Sequence, residues 1–386
     1  MDIGLSCTVW AGVERTGHLD GIGIYTRSLW QALEDLKHGD DPDLTIKPYA
    51  FGHDFPTLAC GKPKTLSVNF RKQVLLSGLL NRPLANSAAI HDDVDLIHAS
   101  DHHIPKVRGV PVIATVMDVI PLIHPEWIKQ NLTSLKSWLF SRSVRQADHI
   151  ITISEHSKQD LVTHLGIAAE NISVTSLGVD PVYFERVPVA TRDEILKKYG
   201  LEPGFFLFVG TLQPRKNLPK VLEAFKALPM EVRKRHPLII VGRDGWANQD
   251  LIPQLQQLEQ QGEGRWLSYL PQSEVFALLQ SAAALVFASL YEGFGLPVIE
   301  AFAAQCPVIA SDTTSLPEVT GNAAWSVDPL DAESISAAML DVLQNSELKA
   351  QRIESGLARA RHYSWEECAR QTLKVYRKVL AAHHAG

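Results

Sequence analysis

The sequence predicts an α/β protein made of two doubly wound parallel-sheet domains. Short apolar strands alternate with longer helical segments along the chain, which is typical of parallel sheets that carry helices on both faces. The 386 residues are too many for one ordinary core and enough for two domains. The stretch Leu177–Arg192 contains two prolines and no clear periodicity, so we place the linker there.

The strands are predicted from short runs rich in apolar residues. They are Ile3–Val9, Asp95–Ala99, Val112–Val116, Ile150–Ile153, Phe205–Val209, Leu238–Val241, Leu285–Ala288 and Val308–Ala310, with a further strand near Trp266–Ser268. A new strand–helix series begins at Phe205, after the linker, so we divide the chain into residues 1–185 and 186–363. The stretch from Glu347 to the end is predicted to be mostly helical.

Composition and charge exclude several functional classes. The net charge is −6 and neither half is basic, so we expect no nucleic-acid partner. The N-terminus lacks the pattern of a signal peptide, and no apolar stretch approaches the ~20 residues that span a bilayer. Four widely spaced cysteines without a C-x-x-C motif indicate neither a disulfide framework nor a zinc site, and they fit a reducing cytosol. They are Cys7, Cys60, Cys306 and Cys368.

Two Asp-x-Asp triplets, Asp41-Pro-Asp43 and Asp93-Val-Asp95, are of a type that can bind a divalent metal at a diphosphate. The first lies in a polar turn and the second leads into a strand. We therefore interpret both as structural and expect no metal site.

The segment Glu292-Gly-Phe-Gly-Leu-Pro-Val-Ile-Glu300 follows a predicted strand and leads into a helix. Gly293 and Gly295 allow a sharp turn and a close approach of a ligand, and Pro297 suits the first helical turn. The amides of Leu296 and its neighbours would then point out of a helix N-terminus, where phosphate binds readily. Glu300 could accept hydrogen bonds from a ribose and Glu292 from a sugar. A glycine-rich turn with two solvated glutamates is the alternative.

A second loop, Gly210-Thr-Leu-Gln-Pro-Arg-Lys-Asn217, follows the strand Phe205–Val209. Ligands of doubly wound sheets bind at the carboxyl ends of strands. Arg215 and Lys216 could therefore bring two cations to a diphosphate, and Asn217 fits a helix N-cap. A solvated basic turn is the alternative for this loop alone.

Two other loops of the second half are candidates for the nucleobase. Gly242 could let a base approach, and Arg243 is a candidate contact of base or phosphate. The amides of Tyr269-Leu-Pro271, with Leu270 at the centre, could read the edge of a base. An ordinary strand-end turn is the alternative for the first of these loops, and a plain loop without a ligand is the alternative for the second. Ser311–Glu318 adds hydroxyl groups after the strand Val308–Ala310.

In the first half, Gly21 and Gly23 open the first long helix as a short G-x-G, which is a weak signal by itself. Asp118 follows the strand Val112–Val116 and is a candidate ligand of a sugar hydroxyl, with a turn cap as the alternative. Three histidines could also reach a site at the strand ends, although each suits a packed or surface position. They are His102, His103 and His124.

Two segments, Arg71–Leu80 and Asn131–Gln146, combine apolar and basic residues at helical spacing. Either could contact an anionic membrane surface peripherally. Core-facing amphipathic helices are the simpler explanation.

Together, three motifs resemble the retaining family 4 glycosyltransferases of the GT-B fold. They are Gly210 with Pro214-Arg-Lys-Asn217, then Glu292–Glu300, and then Ser315-Leu-Pro-Glu318. The likeness extends to Thr115–Pro121, Leu177–Asp180 and Tyr363–Trp365, so it covers nearly the whole chain.

The resemblance implies two Rossmann-like domains facing a cleft, with the donor nucleotide on the second domain and the acceptor mainly on the first. It also implies that the final helix, 364–386, crosses back onto the first domain. If the roles of matching positions in the family carry over, Arg215 and Lys216 would bind the diphosphate. Glu300 would then bind the ribose, and Glu292 would bind the donor sugar. The amides near Phe294–Leu296 would hold phosphate, and no metal or other cofactor is expected.

From the residues and the resemblance together we predict a set of site residues. The catalytic group comprises Glu292, Asp118, Arg215 and Lys216. The donor-binding residues are Gly21, Gly23, Gly210, Thr211, Arg215, Lys216, Arg243, Leu270, Glu292, Gly293, Phe294, Gly295, Leu296 and Glu300.

One position departs from the family pattern. Many members carry His-Asp where this chain has Met117-Asp118, and a thioether cannot donate a hydrogen bond. Either Asp118 with backbone groups suffices, or one of the three histidines substitutes, or the chain is less active. We expect an active enzyme because the donor-side set is complete.

The predicted reaction moves a hexose, mannose from GDP-mannose, to a saccharide or lipid-linked glycan acceptor with retention. The predicted setting is surface polysaccharide or O-antigen synthesis in the cytoplasm, with peripheral contact at the inner face of the membrane. UDP-hexoses and dTDP-rhamnose remain open as donors. Two alternative hypotheses remain open. The chain could be a nucleotide-sugar epimerase, or it could be a non-catalytic glycosyltransferase-like partner protein.

Overall fold

The structure is a computed structural model that describes residues 1–13, 21–39, 41–70, 72–73, 77, 82–127, 133–245 and 250–385, without the side chains of Val13 and residues 133–136. The chain divides into two compact units. Unit 1 comprises Met1–Gly178 with Trp365–Gly386, and unit 2 comprises Val179–Ser364.

Unit 1 contains a seven-stranded parallel sheet in the order β3-β2-β1-β4-β5-β6-β7. Its strands are β1 Asp2–Ser6, β2 Thr45–Phe51, β3 Lys64–Ser67, β4 Leu96–Ala99, β5 Val112–Thr115, β6 His149–Thr152 and β7 Ile172–Val174. Its described helices are α1 Thr8–Val13, α2 Gly21–Lys37, α3 Ser87–His91, α4 Ile120–Ile123, α5 Thr133–Val144, α6 Glu155–Leu165 and the terminal helix α16 Trp365–Ala385.

Unit 2 contains a six-stranded parallel sheet in the order β10-β9-β8-β11-β12-β13. Its strands are β8 Phe206–Val209, β9 Leu238–Val241, β10 Gly264–Leu267, β11 Ala284–Phe287, β12 Val308–Ser311 and β13 Trp325–Val327. Its described helices are α7 Val189–Lys198, α8 Leu218–Ala227, α9 Met230–Arg235, α10 Leu251–Gln260, α11 Gln272–Ser281, α12 Leu296–Ala303, α13 Leu316–Thr320, α14 Ala332–Gln344 and α15 Ser346–Ala360.

The strand order explains where ligands can bind. In unit 2 the chain builds outward from β8 in one direction and from β11 in the other. The loops after β8 and β11 therefore diverge and leave a crevice at their carboxyl ends, the topological switch point of a doubly wound sheet. In unit 1 the same reversal occurs between β1 and β4.

The core of each unit lies on its sheet. β4, β5, β6, β9, β11 and β12 are buried at every residue, as expected for parallel strands that are covered on both faces. The predicted α/β class with two parallel sheets is confirmed.

The structure corrects several details of the sequence prediction. The strand predicted over Ile3–Val9 ends at Ser6, because Thr8 begins helix α1 and the Val9 amide donates to Asp101 instead of to a neighbouring strand. The prediction missed β2, β3, β7 and β13. β2 carries Lys47 and Pro48 within its run, and the other three are sheet edges or short segments without a continuous apolar run.

The division between the units differs from the predicted boundary after residue 185. Unit 2 begins at Val179, because Val179 pairs with Ser364 and donates its N–H to the carbonyl of Tyr363. The helix after this pair, α16, belongs to unit 1 and packs against α2.

Candidate active site

The loops after β8 and β11 meet at the switch point of unit 2. After β8, Gly210 has a φ of 152°, and the chain then forms a 3₁₀ turn at Pro214–Lys216 before α8. The Leu290 N–H of the other loop donates to the Arg215 carbonyl over 2.8 Å. The structure therefore joins the two motifs that the sequence identified separately.

An ionic cluster of three side chains occupies this junction. Arg215 Nη1 lies 2.8 Å from Glu292 Oε2, and Lys216 Nζ lies 2.6 Å from Glu292 Oε1. The side chains of Lys216 and Glu292 are 10% and 8% exposed, and that of Arg215 is 23% exposed. Lys216 Nζ also lies 4.5 Å from the centroid of the Phe287 ring. Two cations thus face one carboxylate, which leaves the cluster with an excess positive charge.

The environment fixes the charge states of this cluster. Burial alone would raise the pKa of Glu292, but Lys216 and Arg215 outweigh it and lower that pKa to about 2. Burial, supported by Arg215 and opposed by Glu292, lowers the pKa of Lys216 to about 8. At neutral pH Glu292 is therefore an ionised acceptor, and Lys216 remains mainly protonated.

The loop after β12 holds the Glu292 backbone. The Glu292 N–H donates to Thr314 Oγ1 over 3.2 Å. Ser315 Oγ donates to the carbonyls of Glu292 and Phe294 over 2.8 and 3.1 Å. These contacts give the hydroxyl groups predicted at Ser311–Glu318 a structural role, because they fix the conformation of the glutamate loop.

Helix α12 begins directly after Gly295, which has a φ of 111°. A Cβ at Gly295 would lie 2.7 Å from Leu316 Cδ2, so glycine is required there by both conformation and space. Among the described residues, no side-chain hydrogen bond caps this N-terminus. Pro297 has no N–H, and the Val298 N–H donates to the Gly295 carbonyl over 2.9 Å. The Leu296 amide is therefore the first-turn donor that an anion could reach.

Glu300 lies on α12 beside Tyr183 and Asp180, two residues that the sequence analysis did not assign to the site. Burial, with Asp180 adding to it and the Tyr183 hydroxyl opposing it, raises the pKa of Glu300 to about 7. Tyr183 lies in the 3₁₀ turn Pro181–Phe184, within the predicted linker. Only the likeness at Leu177–Asp180 pointed to this segment.

The candidate nucleobase residues also come together in unit 2. The Arg243 guanidinium lies 4.8 Å from the centroid of the Tyr269 ring. Arg243 Nη2 is buried and has no hydrogen-bond partner among the described residues, which is unusual for a charged group. The Gly242 N–H donates to the carbonyls of Leu267 and Ser268. Leu270 is buried next to Tyr269, and Trp246 lies outside the described residues.

Asn217 departs from its prediction. It precedes α8 in the left-handed conformation with a φ of 59°, and its side chain makes no capping hydrogen bond. Its Nδ2 instead donates to the carbonyls of Ala288 and Pro329 over 2.9 and 2.7 Å. Asn217 therefore ties the basic loop to the segments that follow β11 and β13.

Comparisons with known proteins identify the family of this chain. The sequence-family model "Glycosyl transferases group 1" matches residues 191–359, and the sequence-family model "Glycosyltransferase Family 4" matches residues 19–183. The O-antigen chain mannosyltransferase B of Escherichia coli is 34% identical over 368 residues, 93% of this chain and 96% of that protein. The chain belongs to glycosyltransferase family 4.

Two further relatives show how broad the likeness is. The MMP alpha-(1->4)-mannosyltransferase of Mycolicibacterium hassiacum is 26% identical and covers 94% of this chain and 96% of that protein. The structure of Anabaena Alr3699/HepE in complex with UDP and glucose has a TM-score of 0.72 at 17% identity, covering 98% of this chain and 100% of that one. The family 4 chain is thus a glycosyltransferase with the GT-B fold.

The predicted residues of unit 1 lie on separate elements of this glycosyltransferase. Gly21 and Gly23 are the first and third residues of α2. Asp118 Oδ1 accepts the Ile120 N–H over 3.2 Å, which is the turn-capping role that the sequence left open. Its part in catalysis remains a prediction. The Met117 carbonyl accepts a hydrogen bond from Ser157.

The three candidate histidines differ in their surroundings. His124 Nδ1 lies 2.9 Å from Glu126 Oε1, and its ring stacks on Trp127. His103 instead contacts the fully buried Asp101, and its ring lies 4.1 Å from that of His102.

Other candidate features have a structural explanation or lie outside the described residues. Asp93 pairs with Lys47 and Lys64, and the described residues contain no group of three or more His, Cys, Asp or Glu side chains that could hold a metal. Most of Arg71–Leu80 lies outside the described residues. None of the described helices combines the length and apolar character needed to cross a membrane.

Proposed function

We propose that this glycosyltransferase transfers mannose from GDP-mannose to a saccharide or lipid-linked glycan acceptor, with retention at the anomeric carbon. The observation that carries the proposal is the cluster of Arg215, Lys216 and Glu292 at the switch point of unit 2. A nucleotide sugar needs cations for its diphosphate and an acceptor group for its sugar hydroxyls. This cluster supplies both within one junction.

The cluster suggests how the chemical step is assisted. When the bond between the anomeric carbon and the diphosphate oxygen breaks, negative charge grows on the leaving diphosphate. Arg215 and Lys216 would stabilise this charge together with the Leu296 amide at the start of α12, the kind of preorganised electrostatics that contributes most to catalysis. Ionised Glu292 would orient the donor sugar by accepting its hydroxyl hydrogen bonds.

Retention follows if the acceptor attacks the same face that the leaving group occupies. The acceptor oxygen then forms the new glycosidic bond, and its proton passes to the departing phosphate oxygen. No dedicated protein base is needed, which suits a donor site whose described carboxylates serve binding roles. We expect the reaction to proceed without a metal ion, since two fixed cations already face the diphosphate.

Two observations favour GDP-mannose among the possible donors. The relatives of E. coli and M. hassiacum are named as mannosyltransferases. The Arg243 guanidinium, whose buried Nη2 has no hydrogen-bond partner among the described residues, is of the type that pairs with the O6 and N7 acceptors of guanine. UDP-hexoses and dTDP-rhamnose are the alternative donors.

The acceptor and the cellular setting belong to the same proposal. The E. coli relative is named for the O-antigen chain, so we propose a lipid-linked O-antigen or other surface glycan as the acceptor. We propose that such an acceptor places the enzyme in the cytoplasm at the inner face of the membrane, in peripheral contact with it.

A turnover screen tests the proposed function. Purified protein is incubated with a panel of UDP-, GDP- and dTDP-sugars and a mixed lipid-linked glycan acceptor, with and without EDTA, and nucleotide release and glycoside formation are measured. We expect acceptor-dependent GDP release from GDP-mannose that EDTA does not abolish. Arg215→Ala should lower the rate at least a hundredfold, whereas Lys220→Ala, which removes a partly exposed cation of α8 paired with Glu223, should not.

The same screen distinguishes a second candidate function. Met117 in place of the family histidine favours a non-catalytic glycosyltransferase-like partner protein. That protein would bind a nucleotide without turnover of any donor. An epimerised free sugar without a glycoside would indicate an epimerase instead.

A further inference from the structure

The switch point of unit 1 carries a buried Asp–His pair that the donor chemistry does not use. Asp101 and His103 follow β4, and helix α1 follows β1, the neighbouring strand from which the chain builds in the other direction. The crevice at such a reversal is where doubly wound sheets bind ligands. The pair therefore occupies the position in unit 1 that corresponds to the donor cluster in unit 2.

Asp101 is held by three hydrogen bonds although its side chain is fully buried. Its Oδ2 accepts the Val9 N–H over 3.1 Å, and its Oδ1 accepts the His103 N–H over 2.7 Å and faces His103 Nδ1 at 2.9 Å. Burial alone would raise the pKa of Asp101, but His103 and His102 lower it below its usual value. An ionised carboxylate only accepts, so Nδ1 of His103 carries the proton.

This arrangement determines what the other ring nitrogen can do. With the proton on Nδ1, Nε2 of a neutral imidazole is a hydrogen-bond acceptor, and the carboxylate fixes the orientation of the ring. The His103 side chain is 19% exposed, so it lies at the boundary between core and solvent. A hydroxyl group is the natural partner for such a nitrogen.

Two phenylalanine rings lie close to His103. The Phe70 ring lies 4.4 Å from the His103 ring in an edge-on arrangement, and the Phe51 ring lies 5.0 Å from that of Phe70. Ligand pockets combine apolar surfaces with a few well-placed polar groups. A pyranose presents both kinds of surface, with C–H groups on its faces and hydroxyl groups around its edge.

We propose that His103, positioned by Asp101, binds a hydroxyl group of the saccharide acceptor through Nε2. This inference rests on the proposed function, because it assigns the acceptor side of that reaction. Asp101 acts through His103 as a positioning residue, and Phe51 and Phe70 provide the apolar wall of the subsite.

Two replacements of His103 separate binding from a purely structural role. In His103→Asn the amide nitrogen can take the place of Nδ1 and keep the bond to Asp101, but nothing replaces Nε2. In His103→Gln the longer side chain can place a polar atom near the position of Nε2. The control is His91→Asn, because His91 is an exposed histidine that also faces a carboxylate, Asp92.

Initial rates are measured with GDP-mannose and the mixed lipid-linked glycan acceptor, and the GDP dissociation constant is measured by calorimetry. We expect His103→Asn to raise the acceptor KM at least tenfold, with its thermal stability and GDP affinity unchanged, and His103→Gln to recover part of the loss. His91→Asn should match the wild type. An unchanged acceptor KM in His103→Asn would overturn the proposal.

A binding measurement keeps this inference separate from the proposed function. Histidine-selective NMR of the full chain is recorded with octyl α-mannoside, and the His103 signal is assigned from its absence in His103→Asn. A shift of that signal supports saccharide binding at His103 even if no donor is turned over. Transfer activity without such a shift and with an unchanged acceptor KM would contradict the subsite alone.

Discussion

Glu292 is the residue on which the donor site depends, because both cations of the basic loop converge on its two carboxylate oxygens. The sequence identified these three side chains in two separate strand–helix loops of the second half. It could not show that they contact one another before any ligand binds. That contact follows from the adjacency of β8 and β11, which are far apart in the sequence.

Removing one of the two cations should destabilise the protein, because the buried negative charge of Glu292 then has a single partner. Lys216→Met leaves Glu292 with Arg215 alone, and we expect the free energy of unfolding in urea to fall by roughly 3 kcal/mol. Lys216→Met combined with Glu292→Gln should recover part of this loss, because the buried negative charge is gone. Lys220→Met is the control, because Lys220 is a partly exposed lysine that pairs with the surface carboxylate of Glu223. Equal stability of Lys216→Met and the wild type would show that the pair contributes nothing.

Glu300 predicts a pH dependence of nucleotide binding. Its pKa is raised from its usual 4.5 to about 7, whereas ribose hydroxyls bind best to the ionised form. Binding should therefore release a proton, and the GDP affinity should fall as the pH drops below about 7, by up to tenfold per pH unit. The raised pKa also favours the folded state at low pH, and this contribution is lost as the pH rises from about 4.5 to about 7.

Calorimetry at pH 6, 7 and 8 tests this dependence. Glu300→Gln cannot ionise, so its affinity should change less with pH than that of the wild type, while ionisation of the diphosphate affects both proteins alike. Parallel profiles would rule out Glu300 as the titrating group. The sequence could not predict the raised pKa of Glu300, because it showed neither the burial of this side chain nor the approach of Asp180 from the segment treated as a linker.

At the scale of elements, the strands and the loops between them were predicted with different success. Continuous apolar runs such as Leu238–Val241 predicted central strands because those strands are buried on both faces. β3 and β13 lie at sheet edges and mix polar with apolar residues, so no periodic signal marks them. Asn217 fits an N-cap by its position in the sequence, but its actual partners, Ala288 and Pro329, are distant along the chain.

Asn217 therefore gives a prediction about how the basic loop is held. Asn217→Ala places alanine in the left-handed region and leaves two buried carbonyls without their donor, so we expect a loss of about 2–4 kcal/mol in unfolding free energy. Asn217→Gly relieves the backbone strain and should cost about 1 kcal/mol less. Urea denaturation measures both variants. A glycine variant less stable than the alanine variant would refute this account of the turn.

At the scale of the whole molecule, the chain leaves unit 1 at Gly178 and returns to it at Trp365. A buried hydrogen-bonded chain fastens the returning helix α16 to the sheet of unit 1. His98 Nδ1 faces the Tyr376 hydroxyl at 2.7 Å, and His98 Nε2 faces Thr115 Oγ1 at 2.7 Å. Burial lowers the pKa of His98 to about 3, so the ring stays neutral in this chain.

Tyr376→Phe removes one link of this chain without changing the shape of the side chain. His98 then keeps a buried nitrogen without a partner, which should cost about 1–3 kcal/mol. We expect thermal unfolding of the full protein to shift downward, while the GDP dissociation constant, a property of unit 2 in our proposal, stays unchanged. An unaltered melting temperature would mean that this hydrogen bond contributes nothing to the attachment of α16.

Arg215 and Lys216 are expected to bind the diphosphate of a nucleotide sugar at the switch point of unit 2. Calorimetric titration of GDP-mannose into the wild type, Arg215→Ala and the Lys220→Ala control, each with EDTA present, measures this binding. We predict metal-independent binding by the wild type and the control, and at least tenfold weaker binding by Arg215→Ala. Equal affinity in all three proteins would contradict this expectation.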